Sequence, residues 1–496
     1  MDTIISNKLL IAPLIPMASA LLIMLSAKRP NLREGFSVMG SLLTFAAILS
    51  LLPRIMAGGV YEWTPFILYP GVSVKFRLDG LGALFALTSS FLWVMAAFYC
   101  IGYMRALDEH AQTRFYFCYA VAVGAGIGVA FAGSLFTLYL FYEVISVITY
   151  PLVMHHQDEE GYLGGRKYII YLMFTSKAFL LTAMALTFVT CGTLDFSTAG
   201  VMNGIFPAGA DQTMITVTYL LFLFGFAKSG IMPLHNWLPD AMVAPTPVSA
   251  LLHAVVVVKA GVFSICRIML SLFGVSLLQR TGLGLFTAYF VSFTIIVASV
   301  IAMTKTNLKA RLAYSTVSQL SYIILGVAML TPRAITGGLI HIANHAVSKI
   351  TLFFCAGAIA AASGKKDIRE LGGIGWRMPF TMVAFGLASL SMVGVPPVCG
   401  FVSKWYLALG SMDIHNSILL GVLLASSLLN ACYFMPIVLT SFFGSPPAGE
   451  TGSGRIEGMR WVPFMVAPLF ITALVSVAIG IYPDFFVSIT KLVGGR

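Results

Sequence analysis

Five lysines stand inside apolar runs: Lys177, Lys228, Lys259, Lys349 and Lys404. One clear carboxylate, Glu143, lies in such a run, in LYLFYEVISVITYP, and HIANHAVSK carries His341 and His345. An ammonium at the centre of a membrane helix costs about 2.5–3.5 kcal/mol on insertion scales, so four would cost roughly 10–14 kcal/mol uncompensated. A hydrated bundle interior, a counter-charge or both is the usual compensation. Burial disfavours the charged form, so a lysine held this way can release a proton near neutral pH. The chemistry open to these residues is proton transfer.

Glu143 and Lys228 are the natural opposite charges, and their pairing would keep Lys228 protonated until Glu143 moves or is neutralised. His341, His345 and Lys349 fall at i, i+4 and i+8, one helix face, and read as a relay lining, with interhelical hydrogen-bond glue the blander alternative. His253 and Lys259 are six residues apart, about 240° of helix, and face different ways unless the helix bulges. Lys177 is read as the weakest relay candidate, at a packing interface or snorkelling. His155, His156 and the following QDEEG read as solvated loop, His110 and His415 as loop-edge residues, and Asp79 as the mouth of a span.

The elements that must position these groups follow from composition. Of 496 residues, 58% are hydrophobic and 10% charged. Soluble domains carry about a quarter charged residues, so a soluble enzyme and a disordered chain are both excluded. A single membrane domain over 1–496 is expected. Fourteen runs are near the roughly 20 residues a spanning helix needs: 9–27, 36–53, 80–104, 113–132, 134–155, 167–191, 213–233, 246–270, 282–303, 312–330, 334–362, 379–410, 416–443 and 461–482. The net charge of +11 does not read as nucleic-acid binding, because the basic residues are dispersed among short loops. Of 30 Lys and Arg, 16 fall in loops on one side of these spans and 9 on the other; the remaining five are the lysines above. That bias predicts both termini on the outer side of the cytoplasmic membrane.

Residues 58–79, rich in β-branched and aromatic side chains around Pro70–Gly71, predict an outer hairpin. Two spans are interrupted, one by Pro233 and Pro239, the other by Pro396 and Pro397, each beside a lysine (Lys228, Lys404). Paired interrupted spans in two halves point to an inverted repeat and its conduction site. The repeat units are set at 113–275 and 282–443, after N-terminal helices in 1–112 and before a C-terminal helix in 461–496.

Rival chemistries are weaker. The seven cysteines contain no C-x-x-C, which argues against an iron–sulfur cluster, zinc site or disulfide framework. Haem ligation by His253, His341 or His345 is disfavoured by the adjacent lysines. Gly124, Gly126 and Gly128 lie in an apolar span with no strand before them and read as helix packing. Sodium wants several oxygen ligands, whereas this chain offers one clear buried carboxylate among ammonium groups. H⁺ is favoured, with Na⁺ at backbone carbonyls of the breaks the alternative.

The chain resembles the antiporter-like subunits of respiratory complex I and of Mrp-type cation/proton antiporters. The resemblance covers nearly its whole length and is most specific in FGFAKSGIMPLHNWLPDAMVAPTPVSALLHAVVVVKAGVF, with support from NLKARLAYSTVSQLSYIILG, HIANHAVSKITLFFCAGAIA and GVPPVCGFVSKWYLALG. It implies an all-α fold of fourteen helices with two inverted five-helix repeats, each holding one discontinuous helix. It also implies roles: Glu143 and Lys228 as the pair on the fifth and seventh spans, Lys259 as the central lysine, His345 as a link, Lys404 as the terminal lysine. His253, His341, Lys349 and Lys177 remain possible relay groups. No cofactor or metal is expected in this chain; flavin, iron–sulfur or NiFe centres would belong to partner subunits, and homologous membrane subunits would lie alongside. Lys404 departs from the complex I paralogue with Glu at that position, which leaves the Mrp D-type subunit or its counterparts in complex I and in hydrogenase or formate-linked complexes. The leading expectation is a proton-translocating subunit of a redox-driven pump, then an Mrp-type Na⁺/H⁺ antiporter subunit, then a non-conducting structural subunit.

Overall fold

The fold is known from a computed structural model that describes residues 3–198, 200–250, 256–446 and 455–494. Among these residues ten helices are long and apolar enough to cross a membrane. The helices that matter here are α1 (Ile11–Leu25), α2 (Pro30–Met56), α3 (Gly80–Ala106), α4 (Gln112–Ala130), α5 (Leu135–Val153), α6 (Glu159–Cys191) and α7 (Gln212–Gly225). They continue with α8 (Val257–Phe273), α9 (Val275–Thr281), α10 (Leu283–Thr304), α11 (Leu308–Ala328) and α12 (Pro332–Ser363). The last are α13 (Pro379–Val393), α14 (Cys399–Asp413), α15 (Ser417–Phe443), α16 (Val462–Ile481) and α17 (Asp484–Gly494).

Ten of the fourteen runs fall on these spanning helices; 312–330 falls on α11, outside the ten, 246–270 includes residues 251–255, which lie outside the described residues, and the other two are interrupted. The run 213–233 stops as a helix at Gly225 and gives way to a single turn, Ala227–Ser229. The run 379–410 is split into α13 and α14, with Pro396 and Pro397 between them. α8 turns by 88° into α9 at Gly274, whose φ of +80° suits a residue without a Cβ. α6 begins eight residues before the predicted run, because Asp158 caps it by accepting from the Gly161 amide at 2.7 Å.

The predicted hairpin is present. β2 (Val60–Tyr69) and β3 (Val72–Leu78) pair antiparallel, from Tyr61↔Leu78 to Tyr69↔Val72, and β1 (Thr3–Ile5) adds in parallel to β2. Gly71 makes the turn at φ +84°, and a Cβ there would strike the Gly192 carbonyl. α17 lies against the start of α3, with the Ile489 carbonyl 2.9 Å from where a Gly80 Cβ would stand. Both described ends therefore share the hairpin's face of the bundle.

Burial sorts the helices into layers. The most apolar windows of α3, α4 and α12 are 78% buried, whereas those of α2, α6 and α15 are 33% buried. Large apolar side chains such as Leu21, Val189, Leu428 and Phe443 form the exposed outer layer, as expected for surfaces that meet lipid tails. α12, which carries His341, His345 and Lys349, runs through the middle.

Asp79 ties the hairpin to this core. It caps α3 through the Gly82 amide at 3.0 Å and takes both guanidinium nitrogens of buried Arg267, one at 2.9 Å. Burial pushes its carboxyl up, but Arg267, with Arg77, more than offsets this and holds it well below the usual carboxylate range. The pair's contribution is therefore complete above about pH 4 and lost only as pH falls below it. Asp79→Ala strands Arg267 without its counter-charge, and the expected loss is about 3–5 kcal/mol, read as a lower melting temperature of the purified chain in detergent. Asp79→Asn, which can still cap, should fall between.

Candidate functional site

The first break positions Lys228. After α7, Phe226 leaves helical geometry and Gly230 turns the chain at φ +71°. Lys228 is fully buried, and its ammonium donates to the Tyr142 carbonyl at 2.9 Å and to Ser146 Oγ at 2.6 Å. It also stands 3.1 Å from the centroid of the Tyr142 ring, a cation–π contact.

Glu143 is placed differently from expectation. Its carboxylate pairs with Lys177 at 2.5 Å, not with Lys228, and Tyr139 Oη is 2.8 Å from the same ammonium. The reason is helical azimuth. Tyr142 and Ser146 are i and i+4 on the face of α5 toward Lys228, and Glu143 is rotated by about 100° toward α6. Lys177 sits in the π-helical stretch Ser176–Leu180 of α6 and its side chain is 49% exposed. The residue that sequence ranked lowest is thus the direct ionic partner. The second Glu143 oxygen is buried without a protein partner.

Glycine brings the centre to the first break. α8 crosses the Lys228 turn at Gly261, where a Cβ would run into the Ser229 amide and stand 2.9 Å from Lys228 Cβ. Two residues earlier Lys259, also fully buried, places Nζ 2.6 Å from His345 Nδ1. His253 lies outside the described residues.

From Lys259 the polar groups continue along α12. The His345 and His341 rings are 5.9 Å apart between centroids. His341 contacts Ser403 Oγ through Nδ1 at 2.8 Å and Gln319 Oε1 through Nε2 at 3.0 Å. Ser403 precedes Lys404. The Tyr322 ring stands between, 5.6 Å from the His341 centroid and 5.2 Å from Lys404 Nζ. Lys349, one turn beyond His345, donates to the Leu312 carbonyl at 3.1 Å and lies off the His345–Lys404 line.

The second break holds Lys404 as the first holds Lys228. α13 ends at Gly394, whose φ is +91°. The last carbonyls of a helix have no intrahelical donor, and those of Met392 and Val393 accept from Lys404 Nζ at 2.7 and 2.9 Å. Ser427 Oγ adds a third acceptor at 3.1 Å. Asn344 fixes the far side of the break through the Cys399 carbonyl at 2.7 Å.

The arrangement is a buried row, Lys228, Lys259, His345, His341 and Lys404, whose lysines contact neutral acceptors. Among the described residues, no carboxylate lies within ion-pair distance of Lys228, Lys259, Lys349 or Lys404. His345 Nε2, Gln319 Nε2 and Ser229 Oγ are buried without a protein partner, the kind of groups that buried water satisfies. Tyr142, Ser146, Gln319 and Ser403 were missed by sequence reasoning. For Tyr142, Ser146 and Ser403 the signal was a polar group one helical turn from, or beside, a charged one; Gln319 has no charged residue within a turn.

His155, expected in solvated loop, is fully buried beyond the end of α5, and His156 is partly so. Neither joins the row.

Residues 132–430, more than half of the chain and every member of this row, match the family described as NADH:quinone oxidoreductase/Mrp antiporter, transmembrane. The chain belongs to that family. Among the family's members, it is 29% identical to NADH-quinone oxidoreductase subunit N of Desulforudis audaxviator, over 97% of this chain and 96% of that one. It is 30% identical to a probable K⁺/H⁺ antiporter subunit of Rhizobium meliloti, over 95% of this chain but only 46% of that protein. The fold is that of a chain of the Mrp complex from Dietzia sp. DQ12-45-1b, with a TM-score of 0.87, 23% identity, and 99% and 97% of the two chains covered. The protein is a multi-pass, antiporter-like membrane subunit, and such relatives work within large membrane complexes.

Gly261→Ala tests the packing that joins the first break to Lys259. The obstruction is backbone, so the break must shift, and a loss of about 1–3 kcal/mol is expected as reduced melting temperature and complex abundance. Gly386→Ala, whose Cβ would meet only Val438 at 3.7 Å, should match the parent protein.

Proposed function

We propose that this chain is a proton-translocating subunit of a redox-driven pump of the complex I type. A proton taken up in the first half passes from Lys228 toward Lys259, crosses to His345 and His341, and leaves through Lys404. Lys259 and His345 carry the reading, because their 2.6 Å contact joins a residue of 113–275 to one of 282–443. In this reading those segments are inverted five-helix repeats within fourteen spans. The domain lies in the cytoplasmic membrane with both termini outside.

Each transfer needs an acceptor that tolerates gain or loss of a proton. A lysine held by carbonyls and hydroxyls can deliver one without stranding a buried anion, whereas a lysine locked to a carboxylate would leave one. Glu143 and Lys177 form the hinge of the charge arrangement. Lys177 is half-exposed at the bundle's side, where a neighbouring homologous subunit would sense it. Flavin, iron–sulfur or NiFe centres would reside in partner subunits. The likeness to the NADH-quinone oxidoreductase relative, which extends over both chains almost in full, supports the pump.

A second reading, an Mrp-type Na⁺/H⁺ antiporter subunit, is favoured by the likeness to cation/proton antiporter subunits, Na⁺/H⁺ ones among them. Vesicles holding the intact complex separate these readings. For the pump, Lys228→Ala and His345→Ala should lower donor-driven proton uptake by about 100-fold with assembly unchanged. Sodium-driven exchange without an electron donor would establish the antiporter. Full pumping in both variants would refute the row, and loss of complex abundance alone would mark a structural subunit.

A further inference from the structure

A second cluster of ionisable side chains lies apart from the row, on the face opposite the hairpin. The segment after α3 carries Glu109 and His110, and the segment after α5 carries His155 and His156. A donor atom from each of Glu109, His110 and His155 lies within 4.8 Å of the other two. The two Glu109 oxygens reach the histidine pair, one at 3.7 Å from His155 Nε2 and the other at 3.3 Å from His156 Nε2. The His110 and His155 rings are 4.8 Å apart between centroids.

His155 needs an explanation. Its side chain is fully buried, and neither ring nitrogen has a hydrogen-bond partner in the protein. An unsatisfied buried polar group costs about 1–3 kcal/mol. A packing role would be filled more cheaply by leucine. The ring is instead aimed at a carboxylate and a second imidazole.

We propose that Glu109, His110 and His155, with His156 beside them, form a binding site for a divalent transition-metal ion of the zinc class. Imidazole nitrogen and carboxylate oxygen are zinc's ordinary donors, and three or four of them make a complete site. Bonds of about 2.0–2.1 Å put tetrahedral donors roughly 3.4 Å apart, so the widest separation here must contract by a little over an ångström. His110 is exposed and can make that movement. Both His155 ring nitrogens are without a hydrogen-bond partner, and a Glu109 oxygen faces Nε2 at 3.7 Å. Of the nearby cations, Arg114 is committed to the His155 carbonyl at 3.0 Å and Lys309 to the Ala244 carbonyl at 2.9 Å.

Glu109 and His156 also line a cavity of about 460 Å³ between this cluster and Lys309, Lys365 and Lys366. Asp158 and Glu160 line the same cavity and offset part of that positive charge.

The test is zinc uptake by the intact complex, purified in detergent, stripped with a chelator and equilibrated with Zn²⁺ alone. His110→Ala removes a ligand at an exposed position and so spares the fold; Glu109→Gln removes the charge with little change of shape; His415→Ala, an exposed histidine elsewhere, is the control. The parent and His415→Ala complexes should each bind one more zinc per chain than His110→Ala or Glu109→Gln, whose affinity at this site should fall by about 100-fold or more. Co²⁺ in place of Zn²⁺ should give tetrahedral ligand-field absorption that the same two variants lose. Equal zinc content in parent and both variants, or no zinc retained by the parent at this site, would overturn the proposal.

Discussion

An ammonium group within the hydrocarbon layer must find its hydrogen-bond acceptors inside the protein. That requirement organises this bundle. An unbroken helix has few carbonyls to offer, because its own amides take them. Ending a helix at mid-depth releases its last carbonyls, and Met392 and Val393 give theirs to Lys404. At the other break, Lys228 uses the Tyr142 carbonyl and the Ser146 hydroxyl. The prolines and glycines of both breaks therefore act together with the lysines. Each break would leave unsatisfied backbone without polar partners, and each lysine would be unsolvated without open acceptors.

Neutral acceptors have a functional consequence. Removing a proton from a lysine paired with a carboxylate leaves an uncompensated buried anion, at a cost of several kcal/mol. Removing one from Lys228, Lys259 or Lys404 leaves an amine among dipoles. Among the described residues, the one such pair made by the five lysines of the apolar runs, Glu143–Lys177, lies at the side of the bundle and not on the row. In the proposed pump, static charge pairing and mobile protons are thus separated in space, with Tyr142 and Glu143, adjacent on α5, facing one each.

Much of this was legible in the sequence. Five lysines in apolar runs, two proline-interrupted spans and the i, i+4 histidines located the row, because inserting charge into lipid is costly enough to leave a mark on composition. The hairpin was equally plain, its Pro-Gly turn bounded by alternating strand formers. The partner of Glu143 was not legible. Choosing between Lys177 and Lys228 requires the rotation of α5 about its axis, which depends on tertiary packing and on the π-helical stretch in α6. Nor was the burial of His155. It follows a span end, where solvent is the usual surrounding, and only the packing of the α3–α4 and α5–α6 connections against each other closes over it. Gln319 and Ser403 carry no charge and so leave a faint signal, although they complete the path from His341 to Lys404.

The account depends on the row being hydrated where protein partners run out. An experimental map of the intact complex, at a resolution that shows ordered solvent, tests this directly. Water within hydrogen-bond distance of His345 Nε2, Gln319 Nε2 and Ser229 Oγ, bridging Lys228 to Lys259, is the expected result. Dry apolar packing around those three atoms, with no solvent between the two lysines, would contradict it.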